Sequence, residues 1–211
     1  GIALAEKIKN QGFQVALNIM HMSKWQETTG FFQNLTFADG LADFIYMVDS
    51  YGGIYPNEVS ETTKRMRSLL PNSEIGFHGH NNLELALINT LTALEEGCSI
   101  VDSTFLGMGR GAGNLKTELL LTVLNQRENL EVDFSSLSEI VNSFEQLHLK
   151  HKWGTSLPYM LSGSQSLPQK NVMEWIGKRF HSLNTILRAL DNRVKGEEDN
   201  AVLPLFDFSK F

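Results

Sequence analysis

The sequence predicts an α/β fold in which helices cover a parallel sheet, either a doubly wound sheet or a (β/α)8 barrel. Apolar runs of strand length alternate with helical patterns four times over residues 13–125. These runs are apolar throughout, as expected of strands that are buried on both faces of a sheet. Beyond about Asp133 the helical patterns continue without strands between them. Four strand–helix units make up half of a (β/α)8 barrel.

A leading helix and two strand–helix units open the chain. Residues 1–12 have an amphipathic pattern that stops at a glycine, so we expect a helix whose domain begins further upstream. The next predicted elements are a strand over 13–20, a helix over 25–40, a strand over 43–48 and a helix over 56–70 that opens with Pro56.

The third and fourth units lead into a helical region. They comprise a strand over 74–77, a helix over 83–96, a strand over 99–106, a glycine-rich loop over 107–114 and a helix over 115–125. Later helices are predicted over 134–152, 169–180 and 183–195, and residues 201–208 either begin a strand or cover the core. We therefore divide the chain into a half barrel (1–130), a helical appendage (131–196) and a tail (197–211).

Composition restricts the function classes. The chain has 211 residues, 42% of them hydrophobic, with 18 basic and 24 acidic side chains and a formal net charge of −6. No basic run suited to a phosphate backbone occurs, so no nucleic-acid partner is expected. We also expect no membrane partner, because no stretch of about 18 uncharged apolar residues occurs. The single cysteine, Cys98, cannot form an internal disulfide, which favours the cytoplasm.

The clearest chemical signal is a pair of histidines at the end of the third predicted strand. His78 and His80 are two residues apart, so they share one face of the strand and their imidazoles can reach one ion. Barrel and open α/β enzymes build their sites at this carboxyl edge. Asn82 follows and is expected to cap the next helix. Imidazole with oxygen donors suits a divalent metal, with Mn²⁺ as the first expectation and Mg²⁺, Co²⁺ or Zn²⁺ as alternatives.

The loop over residues 107–114 is the second signal. Its glycines let backbone amides approach an anion, and the following helix offers its positive amino end. The spacing does not match the G-x-G-x-x-G dinucleotide pattern. A flexible turn is the alternative interpretation.

Three further side chains have a structural and a chemical interpretation. Asp49 ends the second strand, where it can orient a histidine or begin a turn. Asp102 lies between apolar neighbours, where a buried carboxylate needs a partner, and a structural role is favoured over a catalytic one. Cys98 lies at the amino end of its strand and is expected to be an inert core thiol.

Residues 42–125 resemble a family of metal-dependent (β/α)-barrel lyases. The resemblance is carried by the segments YMVDSYGG, GFHGHNNLELA and EEGCSIVDSTFLGMGRGAGN. The family includes HMG-CoA lyase and isopropylmalate synthase, and the resemblance is strongest to its 4-hydroxy-2-oxovalerate aldolase branch. The HMG-CoA lyase branch has a cysteine in the loop before its Gly-Asn pair, and residues 105–112 have none.

The resemblance implies a set of site residues. His78 and His80 would bind the metal at the end of barrel strand seven, and the chain would carry strands five to eight. Asn114, Gly111 and Gly113 would contact the substrate, and Asp49 and Asn82 would support the ligands. Tyr159 is a candidate acid, although packing of its ring in the helical appendage is the favoured interpretation. The family's first strand carries an RDG-like segment with a further metal ligand and a base, which is not found here. These residues alone are therefore expected to be inactive if strands one to four are absent.

Three functions follow as hypotheses. The first is an aldolase that cleaves a 4-hydroxy-2-oxo acid to pyruvate and an aldehyde through a metal-stabilised enolate. The second is a Claisen-type acyl-CoA lyase or synthase of the same family. The third is a non-catalytic partial barrel that acts as an interaction module. The resemblance also implies a 2-oxo acid substrate and either a homo-oligomer or an aldehyde dehydrogenase partner.

Overall fold

The computed structural model describes residues 1–178 and 182–195. The four strands are β1 (Ala16–Ile19), β2 (Phe44–Asp49), β3 (Glu74–Gly79) and β4 (Ile100–Val101). The helices are α1 (Ile2–Lys9), α2 (Phe31–Leu35), α3 (Pro56–Leu69), α4 (Ala86–Glu95), α5 (Thr117–Arg127), α6 (Phe134–His151), α7 (Leu157–Ser164), α8 (Gln169–Lys178) and α9 (Leu183–Val194). The predicted tail over 197–211 lies outside the described residues.

The sheet is parallel and its strands follow chain order, β1-β2-β3-β4. Val48 of β2 pairs with His78 of β3, and Phe77 pairs with Val101 of β4. Each strand connects to the next through helical segments, the arrangement that parallel neighbours require. The predicted α/β class and the four parallel strands are confirmed.

One face of the sheet packs against the helices and forms the main core. Ile45, Met47, Ile75 and Phe77 are at most 3% exposed and belong to one apolar cluster. Burying side chains of this size stabilises the fold by roughly 1.5–3 kcal/mol each. Because side chains alternate along a strand, the intervening residues of β2 and β3 lie on the opposite face. His78 and His80 are therefore displayed on the face that a closed barrel would enclose.

Helix α3 shows how local sequence sets an element boundary. Pro56 occupies the first turn, where its missing amide hydrogen costs nothing. The carboxylate of Glu58 accepts a hydrogen bond from the backbone amide of Tyr55 at 3.0 Å, which closes the helix start. Val59 and Met66 are fully buried on its inner face.

Two predicted elements differ from the structure. The helix expected over 25–40 is divided into a 3₁₀ segment (Met22–Glu27), the short α2 and a second 3₁₀ turn. Thr28 is extended and Gly30 has a φ of 72°, so the backbone cannot continue as one helix. The strand expected over 99–106 is regular only in Ile100–Val101, and a 3₁₀ turn follows at Phe105–Gly107.

The helices after β4 build a second core. Tyr159, Val172, Trp175 and Leu190 pack together, and Ala112 from the glycine-rich loop joins them. Helix α7 was not predicted as a separate element. The helical region therefore packs directly on the loop that follows β4, and the division at residue 130 stays a prediction. Among the described helices, none has the length and apolar character needed to span a membrane.

Candidate active site

The candidate site lies at the carboxyl end of β3. The ring centroids of His78 and His80 are 5.0 Å apart, with the rings 80° from coplanar. The two rings are this close because both side chains lie on the same face of the strand, as the sequence predicted. Each ring is then oriented by a different neighbouring segment.

His78 is oriented by Asp102. The Nδ1 atom of His78 lies 3.0 Å from Oδ2 of Asp102. A carboxylate accepts hydrogen bonds, so this contact places a proton on Nδ1, and in the neutral ring Nε2 then keeps its lone pair. The expectation that Asp102 is buried is wrong, because its side chain is 41% exposed. The carboxylate does have the expected partner, which is His78, and its role stays a prediction.

His80 is oriented by the backbone of β2. Its Nδ1 donates to the carbonyl oxygen of Asp49 at 2.9 Å, which again leaves Nε2 unprotonated. Burial lowers the pKa of His80 to about 4, and the charges of His78 and Arg110 lower it further, against the hydrogen bond to Asp49. His80 is therefore neutral at physiological pH, the state in which an imidazole binds metal.

Asp49 reaches the site through its backbone only. Its carboxylate accepts hydrogen bonds from the amides of Gly52, Gly53 and Ile54, at 2.9–3.3 Å, and so closes the turn after β2. Burial raises the pKa of Asp49 to about 6, although these amides oppose the shift. The turn role and the histidine contact, which the sequence posed as alternatives, occur together in one residue.

Asn82 does not cap the next helix, whose N-cap is Leu85. The Oδ1 of Asn81, and not that of Asn82, accepts a hydrogen bond from the amide of Ala86 at the helix start, at 3.2 Å. Asn82 is fully buried instead, and its Nδ2 donates to the carbonyl of Tyr159 while its Oδ1 accepts from Gln169. It supports the helical region and makes no hydrogen bond to either imidazole in the described part of the chain.

The glycine-rich loop runs back alongside β3. His80 and Asn114 form an isolated antiparallel bridge, and the amide of Asn81 donates to Gly113 at 3.0 Å. Gly111 and Gly113 have φ values of 60° and 79°, which glycine adopts without strain. The Nδ2 of Asn114 donates to the carbonyl of Met108, whereas its buried Oδ1 has no partner among the described residues.

Tyr159 lies in α7 beside this loop. It is 8% exposed, and a Cβ added to Gly111 would lie 3.2 Å from its ring. Burial raises the pKa of Tyr159, so its hydroxyl remains protonated at neutral pH. The ring of Tyr159 packs in the apolar cluster of the helical region, as the favoured interpretation expected, and lies beside Gly111. Its role as an acid stays a prediction.

Sequence reasoning missed Tyr46. It lies on β2 opposite Gly76, and a Cβ at Gly76 would lie 2.8 Å from its ring. Burial, followed by the nearby charge of Asp102, raises the pKa of Tyr46 to about 12. The signal available in the sequence was the glycine two residues before His78, since a strand glycine often marks a close approach.

The donor set fits a divalent ion in part. His78 and His80 offer two nitrogens on one face, and the unpaired Oδ1 of Asn114 is an oxygen on the adjoining segment. In residues 1–178 and 182–195, no group of three or more His, Cys, Asp or Glu side chains is placed to hold a metal. If an ion binds here, these residues would supply only part of its coordination sphere, and a carboxylate from elsewhere would complete it.

Comparison with known proteins assigns the family. The HMGL-like family profile matches residues 2–143. The chain belongs to the HMGL-like family. It is 44% identical over 100 residues to 4-hydroxy-2-oxovalerate aldolase of Bacillus thuringiensis (strain Al Hakam), covering 47% of this chain and 29% of that relative. The corresponding protein of Geobacillus thermodenitrificans (strain NG80-2) is 48% identical over 85 residues, which are 40% of this chain and 25% of the relative.

Solved structures extend the likeness to the helical region. The N-terminal domain of a candidate aldolase from Bacteroides vulgatus is 51% identical with a TM-score of 0.82, over 89% of this chain and 62% of that one. HMG-CoA lyase from Brucella melitensis has a TM-score of 0.54 at 17% identity, over 69% of this chain and 56% of that one. At that identity the likeness concerns the fold alone. The chain spans less than a third of the length of the curated HMGL-like relatives it matches.

Proposed function

We propose that this chain supplies the carboxyl-terminal half of the active site of a metal-dependent aldolase. The reaction would cleave a 4-hydroxy-2-oxo acid to pyruvate and an aldehyde. The proposal depends on the hydrogen bonding of the two imidazoles, which is the same in both rings. Nδ1 of His78 and of His80 is occupied by Asp102 and Asp49, and both Nε2 atoms remain available.

The bound metal would act as a Lewis acid toward the oxygens of the 2-oxo acid. Asp102 and the Asp49 carbonyl would hold the rings in the ligating tautomer, as partners of metal-bound histidines generally do. His80 enters binding already neutral because of its burial. Mn²⁺ is the metal we propose first, with Mg²⁺, Co²⁺ and Zn²⁺ as alternatives.

The loop and α7 would receive the rest of the substrate. Asn114, Gly111 and Gly113 border His80 on the returning segment, where the unpaired Asn114 oxygen can accept a hydrogen bond or bind the ion. Tyr159 keeps its proton at neutral pH and can donate it or a hydrogen bond to a substrate oxygen. The base that removes the 4-hydroxyl proton is not assigned to a described residue.

Mn²⁺ titration tests the metal site directly. We expect His78→Ala and His80→Ala to abolish measurable Mn²⁺ binding by calorimetry, because each removes a nitrogen ligand. Asp102→Asn should weaken binding by about 10–100-fold through loss of ring orientation. The matched control is His148→Ala, since His148 bonds the Trp153 carbonyl away from the pair. Unchanged affinity in the His78 and His80 variants would overturn the assignment.

Pyruvate release tests the reaction. 4-Hydroxy-2-oxopentanoate should yield pyruvate with Mn²⁺ when the chain is assayed within any longer protein that contains it. Metal binding without pyruvate release would contradict the aldolase and favour an acyl-CoA substrate. Absence of both would favour the non-catalytic module.

A further inference from the structure

A cavity of ≈ 420 Å³ lies between the glycine-rich loop and the helices that follow it. One wall is formed by residues 109–111, and the other by the end of α6 and by α7 and α8. Its volume is within the range of small-molecule sites. We call it the basic cavity, after Arg110, Lys150 and Lys152 in its lining.

The charge of the basic cavity is unbalanced. Arg110, Lys150 and Lys152 carry positive charge, His151 adds a titratable ring, and no acidic side chain of the described residues lines it. None of these four side chains forms an ion pair within residues 1–178 and 182–195. The whole chain carries −6. These side chains are exposed at an open cavity. A local positive cluster in an acidic protein favours a small anionic ligand, because a polyanion would meet repulsion outside the cavity.

Backbone donors also belong to the residues that line the cavity. Among the described residues, the amides of Gly109, Arg110 and Gly111 donate no hydrogen bond, whereas those of Gly113 and Asn114 are used within the loop. Gly111 adopts a φ of 60°, and successive free amides in such a turn form a concave anion site. Side-chain cations and free amides together are the donors that a phosphate group uses.

The basic cavity adjoins the proposed active site through the glycine-rich loop. Residues 109–111 form one wall of the cavity, and the same loop continues to Asn114, which bridges His80. Tyr159 lines the cavity, and its ring lies against Gly111. A ligand in the cavity would therefore lie against the loop that leads to His80.

We propose that the basic cavity binds a phosphate group carried by the aldehyde portion of the substrate. A phosphate dianion neutralises three permanent cations better than a single carboxylate does, and Arg110 offers the planar donor pair that suits its oxygens. The binding of phosphate stands on the cavity alone. Its assignment to the substrate rests on the proposed function.

Direct binding tests the cavity independently of activity. Glycerol 3-phosphate is the probe, with glycerol and glycerate as unphosphorylated comparisons, all measured by calorimetry. We expect glycerol 3-phosphate alone to bind well, and the double variant Lys150→Gln with Lys152→Asn to bind it at least tenfold more weakly. Asparagine is chosen because Lys152 has a φ of 52°, which asparagine tolerates.

The matched control is Lys170→Gln. Lys170 is an exposed cation of α8 outside the cavity lining, so the Lys170→Gln variant should bind the probe with the affinity of the parent protein. Equal affinity of the double variant and the parent protein for glycerol 3-phosphate would overturn the phosphate site. Binding of glycerate by the parent protein as tightly as glycerol 3-phosphate would overturn it too. Circular dichroism checks that the variants fold.

Kinetics in the direction of aldol addition test the assignment to the substrate. Pyruvate is supplied with glyceraldehyde 3-phosphate or with glyceraldehyde. The double variant should raise KM at least tenfold for the phosphorylated aldehyde and leave KM for glyceraldehyde unchanged. Probe binding without any preference for the phosphorylated aldehyde would overturn the substrate assignment and indicate an effector site. Probe binding in a protein that releases no pyruvate would overturn the proposed function and keep the phosphate site.

Discussion

Burial sets the protonation state of His80 more strongly than its neighbours do. An unfolded histidine titrates near 6.5, whereas folded His80 titrates at about 4. Below pH 6.5 the unfolded state binds a proton that the folded state does not. The stability that His80 contributes is therefore complete above pH 6.5 and is lost as the pH falls toward 4, by about 3 kcal/mol.

Urea denaturation of the metal-free protein from pH 7 to pH 4.5 checks this expectation. The parent protein should lose more unfolding free energy over this range than His80→Gln does. Asp49 titrates in the opposite sense between 3.8 and about 6, but it is present in both proteins. Parallel stability curves for the two proteins would show that His80 is protonated normally in the folded state.

Cys98 gives a second prediction at this scale. It is 5% exposed, and burial raises the pKa of its thiol to about 11. Since the thiolate is the reactive form, we expect no labelling by iodoacetamide at pH 8 in the native protein and full labelling in urea. Rapid native labelling would contradict the inert role expected of this residue.

The period of a strand was enough to predict that His78 and His80 share a face. It could not identify Asp102 as the partner of His78, because that contact depends on the register between β3 and β4, where Phe77 pairs with Val101. Tyr46 was missed for the same reason, since its place opposite Gly76 is a property of two strands. Contacts within one segment follow from local sequence, and contacts across segments do not.

Elements with strong periodicity were predicted with nearly their observed bounds. Helix α3, expected over 56–70, occupies Pro56–Leu69, and β2 and β3 are shifted or extended by one or two residues. The prediction of one helix over residues 25–40 was wrong. The apolar spacing there is helical, but Gly30 and the extended Thr28 interrupt the helical backbone. Apolar spacing indicates which side chains are buried. It does not indicate whether those side chains belong to one continuous helix.

Two helical glycines provide a matched test of packing between elements. A Cβ at Gly163 of α7 would lie 2.6 Å from the Cβ of Asn82 and 2.8 Å from the Tyr51 carbonyl. A Cβ at Gly177 of α8 would meet nothing within 4 Å. We expect Gly163→Ala to lower the unfolding free energy by about 1–3 kcal/mol through overpacking.

Gly177→Ala should leave that free energy unchanged or raise it by up to about 1 kcal/mol, since alanine favours helix. Urea melts of the two variants and the parent protein give both values. Equal effects of the two substitutions would mean that α7 does not pack closely on the turn after β2.

At the scale of the whole molecule, Asn82 joins the sheet to the helical region. Its side chain bonds Tyr159 and Gln169, and its carbonyl accepts from Thr155 at 2.7 Å. Asn82→Ala leaves buried partners unsatisfied, so we expect a loss on the order of 3 kcal/mol. Hydrogen exchange should show α7 and α8 losing protection before β2 and β3.

The control is Asn34→Ala, at an exposed position of α2, which should change stability by less than about 0.5 kcal/mol. A uniform loss of protection throughout the Asn82 variant would show that the two regions unfold together without this residue. The parallel α/β arrangement was predictable from strand–helix alternation, and the half barrel was implied by the family resemblance. The docking of α7–α9 on the loop was not predictable, because it depends on buried polar contacts between distant segments.

The walls of the basic cavity come from two separate stretches of the chain. Residues 109–111 lie inside the range 2–143 that matches the family profile, whereas Lys150, Lys152 and α8 lie beyond it. Substitutions in the later helices would therefore change the charge of the cavity and leave the strand that carries His78 and His80 untouched.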